Sequence, residues 1–243
     1  MIELFKFLDI ESISNCNRKC PNCLRNSHPD RAAMAERFEN VILPTESITE
    51  AVRQAWELGF RGTVILSHYN EPTMDDRLPM LVQIVREQGL KCMLHTNGDF
   101  ITEQLAKQLD PHLNEIRVSL YMDDPVKSTR RRMINGFFKR TKVEMLTGEH
   151  IATHFAPDFP VRSLAEQHID HNCLEPQMHC IISYEGKYLL CCEDVIGNYD
   201  LGRFPEVSLE DYWFGDKHSH IVETLERVSG RRQFSYCSTC PRT

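Results

Sequence analysis

Apolar and polar positions in the first half of the chain follow two alternating periods. Leu4-Phe-Lys-Phe-Leu-Asp-Ile10 alternates side chains near its end and predicts a first strand. Residues 44–58 carry Ile48, Val52, Ala55 and Trp56 at helical spacing, with Thr45 placed to cap them. Gly62-Thr-Val-Ile-Leu-Ser67 predicts strand two, and a helix over 75–88 should stop at Gly89, the residue type that closes helices most readily. Residues 90–95, 115–120 and 143–146 predict three further strands, with a helix over 102–109. Strands separated by helices imply a parallel sheet with right-handed crossovers, an α/β fold of the partial (β/α) barrel kind.

The pattern then changes. Residues 148–172 are a mixture of Pro, His and acidic residues and predict a linker or active-site loop. Cys180 to Cys191 predicts a β-hairpin turning at Glu185-Gly186, and 209–214 and 219–228 predict helices. The expected organisation is a core over 1–150, followed by a linker and a cysteine-bearing extension of hairpin and helices over 151–243.

Composition narrows the function. The 243 residues carry 28 basic and 35 acidic side chains, a net charge of −7, which argues against general nucleic-acid binding. No apolar run approaches the ~20 residues that would span a bilayer, and Met1-Ile-Glu-Leu-Phe-Lys6 does not read as a signal peptide. A cytoplasmic protein with no membrane partner is the expectation. Ten cysteines in a reducing compartment then point to metal binding rather than to disulfides.

The cysteines are grouped. Cys16, Cys20 and Cys23 form a C-x3-C-x2-C loop directly after strand one, and three thiolates from one loop can reach one metal centre. A cubane of four irons held by three cysteines leaves one iron open to a second molecule, whereas structural sites normally close with four ligands. Cys173, Cys180, Cys191, Cys192, Cys237 and Cys240 lie in the last third, and Cys92 lies alone in strand three as a core thiol. Ser67-His-Tyr-Asn-Glu-Pro72 follows strand two and Thr96-Asn-Gly-Asp99 follows strand three. Loops after strands share the C-terminal face of a parallel barrel, where active sites gather. Four thiolates with a C-x2-C pair also suit tetrahedral zinc, so a structural zinc or electron-carrier protein is the non-enzymatic alternative.

Cys16, Cys20 and Cys23, with Asn70-Glu71-Pro72 and Thr96-Asn97 at the strand ends, resemble the radical S-adenosylmethionine enzymes. The resemblance implies a 4Fe–4S cluster whose open iron binds S-adenosyl-L-methionine, cleaved to a 5′-deoxyadenosyl radical. It implies cofactor contacts from Asn22, His68, Tyr69, Asn70, Glu71, Thr96, Asn97 and Ser119. Asn70 replaces a glycine of the family's Gly-Gly-Glu-Pro segment, and Asn22 replaces a residue that is often aromatic. The tail resembles the SPASM or shortened twitch extension, which implies an auxiliary 4Fe–4S cluster on Cys173, Cys191, Cys237 and Cys240.

A cluster closed by four ligands suits electron transfer. The resemblance thus implies an oxidoreductase of natural-product biosynthesis, oxidising a carbinol of an amino sugar, cyclitol or nucleoside and served by a flavodoxin- or ferredoxin-type donor. Twitch-bearing dehydrogenases of the family place an arginine near the substrate, for which Arg162 or His154 would stand here. Cys192, His95 and Glu193 complete the expected catalytic set. A thiol hydrogen donor at Cys192 would make the reaction a redox-neutral epimerisation, whereas an inert packing thiol would not. A peptide-modifying radical enzyme is a further alternative, with less room before strand one for a peptide-binding domain. The basic run Lys127 to Lys142 is expected to be the solvated side of a helix whose apolar face is Met133, Ile134, Phe137 and Phe138.

Overall fold

A computed structural model describes residues 3–30, 34, 40–146 and 153–242 of the protein. Strands β1 (Phe7–Ile10), β2 (Thr63–Ile65), β3 (Lys91–Thr96), β4 (Glu115–Ser119), β5 (Lys142–Leu146), β6 (His179–Ile182) and β7 (Tyr188–Leu189) form one sheet. Its order is β5-β4-β3-β2-β1-β6-β7, parallel throughout except for the antiparallel β6–β7 hairpin. The predicted hairpin is therefore not a detached appendage: β6 pairs in parallel with β1, Phe7 opposite His179 and Asp9 opposite Ile181. The expected boundary near residue 150 lies outside the described residues.

The crossover helices α2 (Thr45–Glu57), α3 (Leu78–Glu87), α4 (Glu103–Leu109) and α5 (Val126–Phe137) cover one face of the sheet. That face carries Leu8, Ile10, Val64, Cys92, Leu94, Ile116, Val118, Cys180 and Ile182, all fully buried. Because strand side chains alternate, the opposite face carries Phe7, Asp9, Met93, His95, Arg117, Ser119 and His179. That second face lines the interior of the partial barrel and is rich in ionisable groups.

Details of the predicted elements shift for local reasons. Thr45 is the first helical residue, not a cap, and its hydroxyl accepts from Arg77. Trp56 leaves the buried stripe and is covered by the Arg61 guanidinium at 4.8 Å. Residues 72–74 make a 3-10 turn and α3 begins only at Leu78. Gly89 has φ +82°, the left-handed backbone that ends a helix. The Pro-rich stretch holds a helix the pattern did not predict, α6 (Val161–His168). After α7 (Glu175–Met178), β6 and β7, the chain adds α8 (Leu209–Trp213) and α9 (Asp216–Leu225). Fully buried Trp213 fastens this extension to the core, its indole N–H donating to Glu3 O at 2.9 Å.

Candidate active site

The loop between β1 and α1 (Leu24–Ser27) presents Cys16, Cys20 and Cys23, all half-buried. Its backbone is held from several sides. Arg18 donates from Nε and Nη2 to both oxygens of Asp99, and Asn17 donates to Asp99 at 2.7 Å. Asn97 Nδ2 donates to Asn17 Oδ1 at 2.7 Å, Asn26 to Cys20 O, and Arg25 to Ser14 O. Gly98, between these partners, has φ +76°, and a Cβ there would lie 2.8 Å from Val118. The turn that receives the cysteine loop thus depends on glycine.

Burial pushes all three thiols up, Cys23 to about 12, and nearby thiols raise Cys20 and Cys23 further. Such a donor set resists joint ionisation until a cation balances it, which fits a metal cluster. Beside it the Asn22 amide, His68 Nε2 and Asn70 Nδ2 are buried with no hydrogen-bond partner among the described residues. Buried polar atoms without partners are costly, and a polar cofactor with ammonium, carboxylate and adenine groups would satisfy them.

Glu71 is the centre of the strand-end motifs. Its Oε1 accepts from Thr96 Oγ1 at 2.6 Å and from the Thr73 amide and hydroxyl, and its Oε2 accepts from the Asn97 amide at 2.7 Å. The Glu71 amide donates to Asn15 O at 2.8 Å. Glu71 therefore joins three loops, its amide reaching the one after β1 and its carboxylate those after β2 and β3. Asn70 does not occupy the left-handed region expected of a glycine substitute. Its Oδ1 instead accepts from the His68 amide at 3.0 Å and closes the turn. Ser119 ends β4 on the interior face. The basic helix also departs from expectation: Met133 is exposed, and Arg130 reaches the carbonyls of Gly98, Asp99 and Ile101.

A second thiol set lies in the extension. Cys173 precedes α7, Cys191 follows β7, and Cys237 and Cys240 flank a 3-10 turn. Burial is again the main cause of their raised pKa values, Cys237 to about 11 and Cys240 to about 12. Cys237 and Cys240 each feel Cys173, and Cys191 feels both, so the four form one electrostatic group. Among the described residues no three His, Cys, Asp or Glu side chains gather tightly enough to share a single ion. A cubane requires less convergence, because each thiolate binds its own iron.

The two sets are bridged. The Tyr69 amide donates to Glu11, and its hydroxyl donates to Cys192 O at 2.7 Å. The Cys192 thiol lies 3.4 Å from Arg242 Nη2 and 3.9 Å from Glu175 Oε2. Its surroundings are polar, and burial pushes it up to about 12, so it is a thiol at neutral pH. On the interior face His179 Nδ1 meets Asp9 Oδ2 at 2.7 Å. His95 is exposed to water yet walled by protein, and desolvation lowers its pKa to about 4; His68, more enclosed, is lowered to about 3.

Two expected catalytic residues are placed otherwise. Arg162 is 94% exposed on α6 and pairs with Glu166 one turn on, so the structure does not bring it to the thiols. Glu193 is buried with both oxygens engaged: Oε2 accepts from the His154 amide and meets its Nδ1 at 3.0 Å, and Oε1 faces Arg242 Nε at 3.3 Å. It holds the segment after Cys192 in place, and His154 serves that hold. The arginine beside the thiol is Arg242, two residues past the last cysteine, where no local pattern marks it. Asp9 and His179, paired on the interior face, were not among the expected residues, although an acid between Leu8 and Ile10 in a buried strand was a readable signal.

Comparison with known proteins agrees with this architecture. Residues 10–147 match the Radical SAM superfamily, and residues 173–241 match an iron–sulfur cluster-binding domain of the SPASM type. The S-adenosyl-L-methionine-dependent 2-deoxy-scyllo-inosamine dehydrogenase of Niallia circulans is 22% identical over 251 residues, covering 99% of this chain and 94% of that protein. The Fe-coproporphyrin III synthase of Methanosarcina barkeri (strain Fusaro / DSM 804) is 35% identical over 106 residues, 43% of this chain and 24% of that one. The crystal structure of BtrN in complex with AdoMet and 2-DOIA superposes with a TM-score of 0.81 at 21% identity, covering all of this chain and 95% of that one. The matched domains bring 4Fe–4S clusters and S-adenosyl-L-methionine as cofactors. The chain belongs to the radical S-adenosylmethionine superfamily and is a radical enzyme with an auxiliary-cluster domain.

Proposed function

We propose that this enzyme oxidises a carbinol of a small polar substrate, an amino sugar, cyclitol or nucleoside, to a ketone. The observation that carries this reading is the polar character of the interior near the two thiol sets, where Asp9, His95, Glu175, His179 and Arg242 stand among the apolar side chains. Such groups suit a substrate bearing several hydroxyl or amino groups. The likeness to the dehydrogenase across nearly the whole chain supports the same reading.

Cys16, Cys20 and Cys23 would hold the first cluster, and Cys173, Cys191, Cys237 and Cys240 the auxiliary one. Bound there, the cofactors supply a radical that removes a hydrogen atom and a route by which an electron leaves. Asn22, His68 and Asn70, with their unpartnered polar atoms, would meet S-adenosyl-L-methionine, and Glu71 would set the frame in which they do so. Tyr69 joins that frame to the auxiliary side through its hydroxyl bond to Cys192 O. A flavodoxin- or ferredoxin-type protein would supply the priming electron in the cytoplasm.

The test is anaerobic reconstitution with candidate carbinols deuterated at the carbinol carbon. Deuterium in 5′-deoxyadenosine with one ketone per 5′-deoxyadenosine supports oxidation. Absence of ketone with every such carbinol sinks it.

A second reading is favoured by one observation. Cys192 sits against Arg242 and Glu175 and not in an apolar core, a setting that suits a reactive thiol better than an inert packing one. A thiol there could return a hydrogen atom to the opposite face of the substrate radical, giving epimerisation and a thiyl radical that an electron from the same donor protein and a solvent proton would restore. Solvent deuterium at a stereocentre of recovered product, lost in Cys192→Ser, would establish it.

A further inference from the structure

The oxidation reading leaves open which group takes the hydroxyl proton when the ketone forms. The carboxylates that sequence motifs single out are already committed. Glu71 accepts from Thr73, Thr96 and Asn97, and Glu193 is held by His154 and Arg242. A base must have an accessible lone pair, and neither offers one.

We infer that His179, oriented by Asp9, is the base that accepts the substrate's hydroxyl proton. His179 opens β6 on the interior face, opposite Phe7 of β1, and its ring stacks on Phe7 at 4.7 Å. Its Nδ1 is 2.7 Å from Asp9 Oδ2, so Nδ1 carries a proton donated to that carboxylate and Nε2 is left with its lone pair. The nearest acidic atom to Nε2 is Glu175 Oε2 at 4.0 Å, too far for a hydrogen bond. The side chain is 22% exposed and opens to the interior. The facing titratable groups are Asp9 from β1, Glu175 from α7, His68 after β2 and His95 on β3. Glu175 also lies 3.9 Å from the Cys192 thiol, which puts His179 beside the segment that leads to the auxiliary thiols.

A buried Asp–His pair can serve only to join strands. Here that role is redundant, because β1 and β6 are already paired over four residues from Phe7 to Ile10. Asp9 is instead a buried carboxylate whose pKa is raised by desolvation, and the cost of burying it is offset by the histidine it orients. The Asp9 partnership outweighs desolvation at His179 and raises its pKa, giving a stronger base than a free imidazole.

This inference rests on the oxidation reading. Once a hydrogen atom has left the carbinol carbon, the O–H bond breaks and its proton moves to His179 Nε2. The C=O bond forms, and the remaining electron would leave to a one-electron acceptor, the chemistry that an auxiliary cluster held by Cys173, Cys191, Cys237 and Cys240 would supply. Asp9 does not touch the substrate and is a positioning residue.

The test uses the reconstituted enzyme and His179→Gln, His179→Asn and Asp9→Asn, with the carbinol deuterated at carbon. We expect both histidine variants to keep passing deuterium into 5′-deoxyadenosine while ketone per 5′-deoxyadenosine falls at least tenfold. The base acts when neutral, so ketone yield in the parent should rise with pH through the His179 pKa. Asp9→Asn removes the group that raises this pKa, so the rise should move to lower pH. The His179 imidazole, followed by NMR in protein without S-adenosyl-L-methionine, should show the same downward shift. Parental ketone ratios in both histidine variants, or an unmoved pH limb in Asp9→Asn, would overturn the role of His179 while leaving oxidation intact. A parent enzyme that transfers deuterium but yields no ketone would overturn both.

Discussion

Arg18 and Asp99 are joined by two parallel hydrogen bonds, Nε to Oδ2 at 2.7 Å and Nη2 to Oδ1 at 2.6 Å, across 81 residues of chain. The pair ties the loop of Cys16 and Cys20 to the turn after β3, and Arg130 grips the same turn from α5. Desolvation pushes the Asp99 carboxyl up, but hydrogen bonds from Arg18 and Asn17 outweigh it and hold the pKa below the usual range. A depressed carboxylate pKa stabilises above its unfolded value and is lost as pH falls through the folded one.

Asp99→Asn should therefore cost about 1 kcal/mol at neutral pH, a modest figure because both side chains are partly exposed. The difference in melting temperature from the parent should shrink as pH falls below about 4, where the unfolded carboxylate takes up its proton, and vanish only below the lower pKa of folded Asp99. Loss of loop alignment should also slow 5′-deoxyadenosine formation roughly tenfold. A difference that stayed constant under acid would remove the ion pair from the explanation.

Arg162 and Arg242 should separate cleanly. Arg162→Ala removes an exposed pair with Glu166 worth about 0.3–0.5 kcal/mol and should leave turnover at the parental level. Arg242→Ala removes the guanidinium from both Cys192 and Glu193 and should raise substrate KM or lower kcat at least tenfold. Steady-state kinetics on the two variants would decide between them, and the reverse order would restore Arg162 to the site.

Their contrast shows what the sequence could reveal. The strands of the core and the strand-end motifs were legible because strand period, capping glycine and C-x3-C-x2-C spacing are local signals, as at Gly89 and Cys16 to Cys23. Arg242 was not, because its role arises only when the chain end folds back on β7. His179 comes beside Asp9 on the interior face through parallel pairing with β1, a contact spanning 170 residues that no window along the chain contains. Glu193 was legible as a polar residue two positions after an expected ligand cysteine, Cys191. That both oxygens of Glu193 are engaged follows from Arg242 and from His154, 39 residues earlier, in a stretch whose composition predicts a linker or active-site loop.

Glu193→Gln should be chiefly a stability variant. Removing the charge leaves Arg242 without its carboxylate in a largely enclosed site and weakens the contacts to His154. Breaking a buried pair from one side costs about 3 kcal/mol. For a chain of this size that corresponds to a fall of roughly 6–12 °C in melting temperature. A Glu193→Gln enzyme with parental melting temperature but lost ketone formation would return Glu193 to a chemical role.

Iron content should report the two thiol sets independently. The reconstituted parent should hold about eight irons and eight sulfides per chain, two cubanes. Replacing Cys191 and Cys240 together by alanine removes two of four mutually interacting thiols, which should bring the count to about four. Cys16→Ala with Cys20→Ala should also leave about four, by emptying the other set. The two double variants should differ in chemistry. The first keeps the thiols nearest Glu71 and should retain 5′-deoxyadenosine formation without ketone, whereas the second should form neither. A parent with about four irons, or one in which either double variant loses all iron, would mean that the thiols do not form two separate sites.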